Sequence, residues 1–476
     1  MPTSNQEYLM LIPFILMGVT ILISVLIEIY FKRSEEILPW FSAIAFLAAG
    51  IISLWNINER ALLFGGMIEA GGISAIFNFI FNVAAMLVVL ASADYLKKYG
   101  TYYGEYYILI QSSVLGMMVM ASTQDLLMIF MGLELMSICF YILAGINRKK
   151  LTANEASLKY FLLGAFASGF ILYGLALVYG ATQTTGIFTI VDNIVSMQGN
   201  IVFWTGVLLL VVGFSFKIAA VPFHMWVPDV YQGAATTVTG LMSTAGKTAA
   251  FGVLIILLAL SSPVNGNNVL QPYFAVIATL SMVAGSVIAL SQSNLKRLLA
   301  YSSIAHAGYM SIGLAANNVE SISGIIFYLA AYTFMNIGAF AIISVIEGES
   351  DANLDIDSYA GLNSRSPFLA AVMSLFMFAL AGIPPLAGFF GKYYVFLGAI
   401  EGGLTWLAIV GVLSSVISVY FYLKVVVYIY FKEPQKDLTI NVSPYSLSAI
   451  IISALFVLIF GLFPDLLLRV ISIAVG

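Results

Sequence analysis

Four charged residues lie within stretches that are otherwise apolar for about twenty residues, the length that crosses the hydrocarbon core of a bilayer. They are Glu134, Lys217, Lys247 and Lys392. A charge at the centre of a membrane helix costs roughly 2.5 to 3.5 kcal/mol on the insertion scale, so four cost on the order of 10 kcal/mol. Because membrane proteins keep such residues mainly along ion paths, the pattern predicts proton or ion transport.

The composition identifies an integral membrane protein and argues against other classes. Of 476 residues, 61% are hydrophobic and 9% are charged, whereas soluble domains are about 45 to 50% apolar. A net charge of −4 without a basic face argues against a nucleic-acid partner. One cysteine, Cys139, and two separated histidines are too few to ligate haem or an iron–sulfur cluster, and no nucleotide-binding glycine motif is present. We therefore expect no cofactor and no metal in this chain.

Apolar runs bounded by Pro, Gly, Asn and charge predict an all-α integral membrane protein with about fourteen transmembrane helices. The predicted helices span residues 8–31, 38–56, 72–93, 105–123, 125–146, 157–180, 200–226, 233–261, 271–291, 297–316, 321–346, 366–399, 402–431 and 443–470. Asp125 precedes the fifth of them and is predicted to be its N-cap.

Basic residues in the predicted loops indicate the orientation of the chain, since cytoplasmic loops are enriched in Lys and Arg. Only Arg60 and Arg469 fall on one face. The other face carries Lys32, Arg33, Lys97, Lys98, Arg148, Lys149, Lys150, Lys296, Arg297, Arg365, Lys432 and Lys436. Both termini are therefore expected on the non-cytoplasmic side. The N-terminus has neither the basic region of a signal peptide nor an Arg-rich transit pattern, which favours a bacterial cytoplasmic membrane.

Five lysines remain within predicted helices, against one acid clearly at depth, Glu134. Lys424 is expected to extend to the membrane interface, and Lys159, near a helix start, fits either that role or a relay role. Lys217, Lys247 and Lys392 lie too deep for this. Removing an amine from water disfavours its charged form, so such lysines can load and release protons.

Prolines predict breaks in two helices beside buried lysines. Pro222 follows Lys217 by five residues, and Pro384 and Pro385 precede Lys392. Proline cannot donate to the carbonyl four residues earlier, so the main-chain carbonyls of residues 218, 380 and 381 lose their helical partners. In a membrane such carbonyls persist only where protein or a water-filled cavity satisfies them, which favours an ion path at both breaks.

The two breaks suggest an internal repeat of five helices, each broken in its fourth helix. Five is an odd number, so the second unit would enter the membrane from the opposite side, as an inverted repeat does. The predicted organisation is a three-helix segment at 1–104, a first repeat at 105–261, a second repeat at 262–431 and a C-terminal helix at 432–476.

Four long strings resemble the antiporter-like membrane subunits of respiratory complex I, and subunit N in particular. They are EASLKYFLLGAFASG (155–169), FKIAAVPFHMWVPDVYQGAATTVTGLMSTAGK (216–247), NLKRLLAYSSIAHAGY (294–309) and GIPPLAGFFGKYYVF (382–396). Fourteen helices without a long lateral C-terminal helix distinguish the chain from subunit L. A lysine at position 392, where subunit M usually carries glutamate, distinguishes it from subunit M.

This resemblance implies a proton-translocating subunit of an NADH:quinone oxidoreductase that holds no redox centre itself. It implies that Glu134 pairs with Lys217, that Lys247 passes the proton inward, and that Lys392 lies on the exit side. NADH, FMN, iron–sulfur clusters and quinone would be handled by partner subunits. The implied partners in the membrane arm are other antiporter-like subunits and small hydrophobic subunits.

Three more titratable residues are candidate relay groups. His224 and His306 carry the side chain that titrates nearest physiological pH, although a buried histidine that only bonds a neighbour is the simpler interpretation. Asp229 is expected to cap the cytoplasmic end of the seventh helix, or to shape a proton-uptake route.

Two other functions remain open. A subunit of an Mrp-type cation/proton antiporter shares these motifs and would exchange sodium for protons without a redox partner. A structural subunit that seals a larger membrane complex would hold its lysines in static, hydrated pairs. The wording of the strings at 155–164 and 221–234 favours subunit N over the antiporter.

Overall fold

The computed structural model describes residues 5–98, 100, 104–261, 268–348, 352–434 and 440–475, and the chain is almost entirely helical. The all-α class is therefore confirmed. Lys436, one of the predicted loop cations, lies outside the described residues, as do the first residues of the predicted N-terminal and second-repeat segments. The division into repeats stays a prediction.

Twenty α-helices and one hairpin are named here in chain order. The first half contains α1 (Asn5–Tyr30), α2 (Ser34–Trp55), β1 (Arg60–Leu63), β2 (Ile68–Gly71), α3 (Gly72–Lys98), α4 (Glu105–Ala121), α5 (Leu126–Ala144), α6 (Leu151–Thr182), α7 (Ile187–Asp192), α8 (Ile201–Lys217), α9 (Val227–Gly233), α10 (Thr236–Leu241) and α11 (Lys247–Leu258). The second half contains α12 (Gln271–Leu290), α13 (Leu295–Ala316), α14 (Val319–Ile346), α15 (Leu362–Arg365), α16 (Pro367–Ala381), α17 (Ala387–Glu401), α18 (Thr405–Phe431), α19 (Pro444–Leu462) and α20 (Pro464–Val475).

Ten helices within the described residues are long and apolar enough to cross a membrane, with α10 and α11 counted as one span, and α4, α8 and α16 are shorter apolar helices. The predicted number of fourteen spans is not confirmed. The most completely buried spans are α3, α10–α11 and α14, which form the centre of the bundle. Helices such as α1, α6 and α18 instead expose much of their apolar surface, as lipid-facing helices do.

The helix starts follow ordinary capping chemistry. The carboxylate of Asp125 accepts hydrogen bonds from the main-chain N–H groups of Leu127 (2.9 Å) and Met128 (3.0 Å), which confirms it as the N-cap of α5. Asn294 caps α13 in the same way, and Asn318 forms a capping box with Ser321 at the start of α14. These caps satisfy N–H groups that have no partner within their own helices.

Both predicted helix breaks are present. α8 ends at Lys217, and a non-helical segment that contains Pro222 leads to α9. α16 ends at Ala381, and Pro384 and Pro385 lie in the short turn before α17. The Val221–Pro222 and Pro384–Pro385 peptide bonds are both cis.

Two predicted helices differ from the structure. The last one, 443–470, is two helices, because Pro464 cannot donate to the carbonyl of Phe460 and disfavours helical backbone at Phe463. The predicted helix at 233–261 contains a π-helical turn over Met242–Gly246, directly before Lys247. Such a turn re-aims the side chains that follow it and is frequent at functional sites.

The β1–β2 hairpin packs against the end of α20. Arg60 on β1 donates a 2.8 Å hydrogen bond to the main-chain oxygen of Ala474 at the end of α20. The hairpin thereby joins the N-terminal helices to the C-terminal one.

One predicted loop cation is a buried residue. Lys296 lies in the first turn of α13, is fully buried, and donates to the carbonyl of Ala234 at 2.7 Å. Sequence position alone placed it in a solvated loop. The structure differs because α13 begins at Leu295 and its first turn packs against α9.

Helix pairs cross closely where glycines face each other. A Cβ atom on Gly116 of α4 would lie 2.7 Å from the carbonyl oxygen of Gly132 on α5, and a Cβ atom on Gly132 would lie 2.7 Å from that of Gly116. The same reciprocal arrangement joins Gly174 of α6 to Gly206 of α8. In a membrane, where apolar surface gains little by leaving lipid, such close backbone packing holds helices together.

Gly116→Ala is expected to destabilise the α4–α5 crossing by about 1 to 3 kcal/mol, because the new methyl group overlaps the backbone of α5. The thermal aggregation midpoint in mild detergent measures this. Gly169→Ala in α6 is the matched control, since nothing lies within 4 Å of its Cβ position. Equal midpoints for the two variants would contradict the role given to the crossing.

Candidate functional site

Lys217 is buried at the end of α8 against one face of α5. Its amine donates hydrogen bonds to the hydroxyls of Ser137 (3.0 Å) and Tyr141 (3.4 Å), and the residue is 5% exposed. Glu134 lies one turn before Ser137 on the same face of α5 and acts on Lys217 through space. Among the described residues no ion pair joins Glu134 to Lys217, and Oε1 of Glu134 is buried without a hydrogen-bond partner. The described residues thus show an electrostatic interaction between Glu134 and Lys217 without a direct ion pair, and their pairing in the relay stays a prediction.

Aromatic residues form one wall of this site. Tyr141 packs edge-on against Tyr160, which stacks on Trp226 at 4.6 Å between ring centroids. The indole of Trp226 donates to the carbonyl of Phe216 at 3.1 Å, beside the end of α8. Gly164 is needed here because any Cβ atom would overlap the Tyr141 hydroxyl. This wall keeps Lys217 away from lipid.

Lys247 occupies the position directly after the π-helical turn and points at α13. It is 1% exposed, and its amine donates to the carbonyl oxygen of Ser303 at 2.7 Å and to the Ser303 hydroxyl at 2.5 Å. Both acceptors are neutral. The amine is thus held by groups that remain acceptors whether or not it is protonated.

His306 lies one turn after Ser303 on α13 and is 1% exposed. Its Nδ1 lies 2.7 Å from the hydroxyl of Tyr328, and its Nε2 lies 2.9 Å from that of Tyr422. The hydroxyl of Tyr422 also bonds Ser302. Both ring nitrogens therefore face groups that can give or take a proton.

Lys392 is bound at the second helix break. Its amine donates to the carbonyl of Ala381 (2.9 Å), to that of Leu380 (3.4 Å) and to the Ser415 hydroxyl (2.8 Å). The two carbonyls are those that the prolines deprive of helical partners. The same amine lies 4.9 Å from the ring centroid of Tyr309, which follows His306 on α13. Ser303, which bonds Lys247, and Tyr309, which contacts Lys392, lie on the same helix and are separated by about 9 Å, the rise of six helical residues. α13 therefore links the two lysines.

Asp229 joins two cations at the start of α9. Its carboxylate accepts from Lys159 at 2.9 Å and from Arg297 at 2.8 Å, and Lys159 also pairs with Glu155. Asp229 lies outside the ten candidate spans. Burial acts to raise the pKa of its carboxyl group. Hydrogen bonds from Lys159 and Arg297 outweigh this effect and hold that pKa below its usual value. No capping bond to the end of α8 is formed in the described structure, so Asp229 ties α6 and α13 to α9 instead.

The remaining sequence candidates lie apart from the central group. His224 and Pro222 are in the segment after α8, where His224 is half-buried and its Nδ1 has no hydrogen-bond partner among the described residues. Within the described ranges, no cluster of three or more His, Cys, Asp or Glu side chains could hold a metal ion.

Sequence reasoning missed two buried charged residues. The sequence predicts a loop at Lys296, and it predicts no role for Glu347, which directly follows the last apolar residue of α14. Glu347 is fully buried and accepts a hydrogen bond from the Thr236 hydroxyl. No local pattern marks either residue, because both follow helix boundaries that also fit a solvated loop.

Comparison with known proteins agrees with this arrangement. The family described as "NADH:quinone oxidoreductase/Mrp antiporter, TM" matches residues 122–418. A chain of respiratory complex I from Thermus thermophilus with bound aureothin is 31% identical, with a TM-score of 0.84 over 98% of this chain and 100% of that one. A chain of the Mrp complex from Dietzia sp. has a TM-score of 0.88 over 98% of this chain and 97% of that one at 19% identity, which shows a common fold.

Curated relatives distinguish these possibilities at the level of sequence. The NADH-quinone oxidoreductase subunit N of Trichlorobacter lovleyi is 44% identical over 92% of this chain and 90% of its own length. NADH-quinone oxidoreductase subunit N 1 of Chloroherpeton thalassium is 43% identical over 95% of this chain and 94% of its own length. On this identity and coverage, the chain belongs to the NADH-quinone oxidoreductase subunit N family.

Proposed function

We propose that this chain translocates protons across a bacterial cytoplasmic membrane as subunit N of an NADH:quinone oxidoreductase, with Lys217, Lys247 and Lys392 as proton carriers. The observation that carries the proposal is the bonding of these amines. All three are at most 5% exposed, and among the described residues their hydrogen-bond acceptors are hydroxyl and carbonyl oxygens rather than carboxylates. Because these acceptors are neutral, the amine can lose its proton without leaving an unpaired carboxylate in the protein interior.

The path between Lys247 and Lys392 runs along α13. A proton leaves the amine of Lys247, passes the Ser303 hydroxyl and the His306 ring, and reaches Lys392 beside Tyr309. The hydroxyls of Tyr328 and Tyr422 hold the His306 ring on both nitrogens, so it can accept on one and donate on the other. Ordered water joins the steps that protein groups do not bridge.

Charge repulsion couples the protonation of one carrier to that of the next. Two like charges at low dielectric repel far more strongly than in water, so a proton on one carrier disfavours a proton on the next. Lys392 and Lys247 both act on His306 through space. Glu134 opposes this repulsion at Lys217, where it favours a loaded amine.

Electron transfer belongs to partner subunits in this proposal. NADH, FMN, the iron–sulfur clusters and the quinone react there, and conformational or electrostatic changes reach this chain through the neighbouring membrane subunits. The chain is thus part of a translocase without being its redox catalyst. Both termini lie on the non-cytoplasmic side, and the helix breaks fall in two inverted repeats.

Purification from the native membrane tests the assembly. A tagged chain is expected to bring down subunits with flavin and iron–sulfur centres, together with NADH:quinone activity. Small hydrophobic partners with sodium-dependent proton exchange and no NADH oxidation would instead support an Mrp-type antiporter, whose fold this chain shares.

Lys217→Ala is expected to lower the rate of NADH-driven proton pumping by about 100-fold, the scale on which loss of a positioned acid or base slows proton transfer. The measurement uses vesicles that contain the assembled complex, with assembly checked by native electrophoresis. Normal pumping by the assembled variant would favour a purely structural subunit.

Lys392→Met keeps the length of the side chain but removes the donor to the carbonyls of Leu380 and Ala381. It is expected to abolish pumping and to cost about 1 to 3 kcal/mol of stability, the usual penalty for buried acceptors left unsatisfied. Pumping is followed by the vesicle pH gradient and stability by thermal aggregation. Lys424→Met on α18 is the control, since Lys424 is only half-buried and lies off the path. Equal loss in both variants would contradict a specific role for Lys392.

A further inference from the structure

A second buried acid lies at the end of the bundle that carries Lys98 and the start of α13. Glu347 directly follows α14 and is fully buried. Its Oε2 accepts from the Thr236 hydroxyl, whereas its Oε1 is buried without a hydrogen-bond partner among the described residues. A buried carboxyl oxygen without a bond is costly, so the residue requires an explanation beyond packing.

A cavity with a mixed polar and apolar lining lies near the backbone of Glu347. It has a volume of about 310 Å³ and is lined by Asp94, Tyr95 and Lys98 of α3, with Ser344 of α14. Two of these residues also bond the backbones of Glu347 and Thr236. Lys98 donates to the main-chain oxygen of Glu347, and the Tyr95 hydroxyl accepts from the main-chain N–H of Thr236 at 3.3 Å. Lys98 and Tyr95 therefore lie between the cavity and the Glu347–Thr236 pair, which is not itself part of the lining.

Polar groups continue from this pair towards Lys247. Thr236 begins α10, Ser243 lies in the π-helical turn that follows it, and Lys247 begins α11 directly after that turn. Asn336 of α14 donates to the Ser243 hydroxyl at 2.7 Å, and Oδ1 of Asn336 is another buried acceptor without a partner in the described ranges. Thr236 and Lys247 are separated by about 16 Å along the helix.

We propose that Glu347 collects protons from the cavity and passes them by way of Thr236 and Ser243 to Lys247. The inference rests on the proposed function, in which Lys247 is a carrier. Each transfer moves one proton and no electron: Glu347 releases its proton, the neutral amine of Lys247 gains one, and Glu347 is reloaded from the cavity.

The groups around Glu347 come from several elements. Asp94, Tyr95 and Lys98 face it from α3, and Tyr359 lies close enough to interact electrostatically from the segment after α14. Lys296 reaches the same region from α13 through its bond to Ala234.

The test compares Glu347→Gln with Glu347→Asp in the assembled complex, using NADH-driven proton pumping between pH 6 and 9 (roughly the range in which pumping can be followed). The Gln variant is expected to pump about 100-fold more slowly at the upper end. Its deficit should shrink as the pH falls, because unassisted proton supply rises. The Asp variant keeps a titratable group and should stay near the parent. Glu320→Gln, an exposed acid at the opposite end of α14, is the control.

A deficit that is equal at every pH indicates a structural role for Glu347 and overturns the inference, as does normal pumping by Glu347→Gln. Thr236→Val and Thr236→Ser address a Gln variant that fails to assemble. The Val variant should show the same pH-dependent deficit and the Ser variant should not; a Val variant like the parent overturns the inference.

Lys247→Ala, measured alongside, separates the two proposals. If it stops pumping while Glu347→Gln does not, only this inference fails. If it pumps normally, the proposed function fails too.

Discussion

The rest of the structure depends on one constraint, that polar groups inside a bilayer must be bonded, and the hydrogen bonds from Lys392 to the carbonyls of Leu380 and Ala381 show how it is met. Inside a bilayer, an unbonded carbonyl and an isolated ammonium group are each costly. At the second helix break each satisfies the other, so the break and the charge are stable only together. Neither could be replaced alone without leaving the other group unsatisfied.

The same constraint explains why polar groups gather on the central helices. α3, α10–α11 and α14 are the most enclosed spans. The hydroxyls that bond the buried charges come from these helices and their neighbours: Thr236 on α10, Ser303 on α13, Ser137 and Tyr141 on α5, and Ser415 on α18. The outer helices remain apolar towards lipid and cross closely at glycines such as Gly116 and Gly132. A rigid polar interior is thereby held within an apolar shell.

Fold similarity and sequence identity give different information about the family of this chain. The chain superimposes on a chain of an Mrp complex at 19% identity with a TM-score of 0.88, slightly higher than the 0.84 for the complex I chain at 31% identity. The helical scaffold therefore serves more than one kind of assembly. Sequence identity of 43 to 44% over nearly the whole chain is what identifies the subunit N family.

The sequence by itself determined the membrane class, the N-cap at Asp125, both helix breaks and the buried lysines. Each depends on local chemistry: apolar length, a capping oxygen, or a proline without an N–H. Only the tertiary structure decided which groups bond those lysines, that hydroxyls rather than Glu134 bond Lys217, and that Lys296 and Glu347 are buried. Those outcomes depend on which helices pack together, and residues at helix boundaries look alike in sequence whether water or another helix covers them.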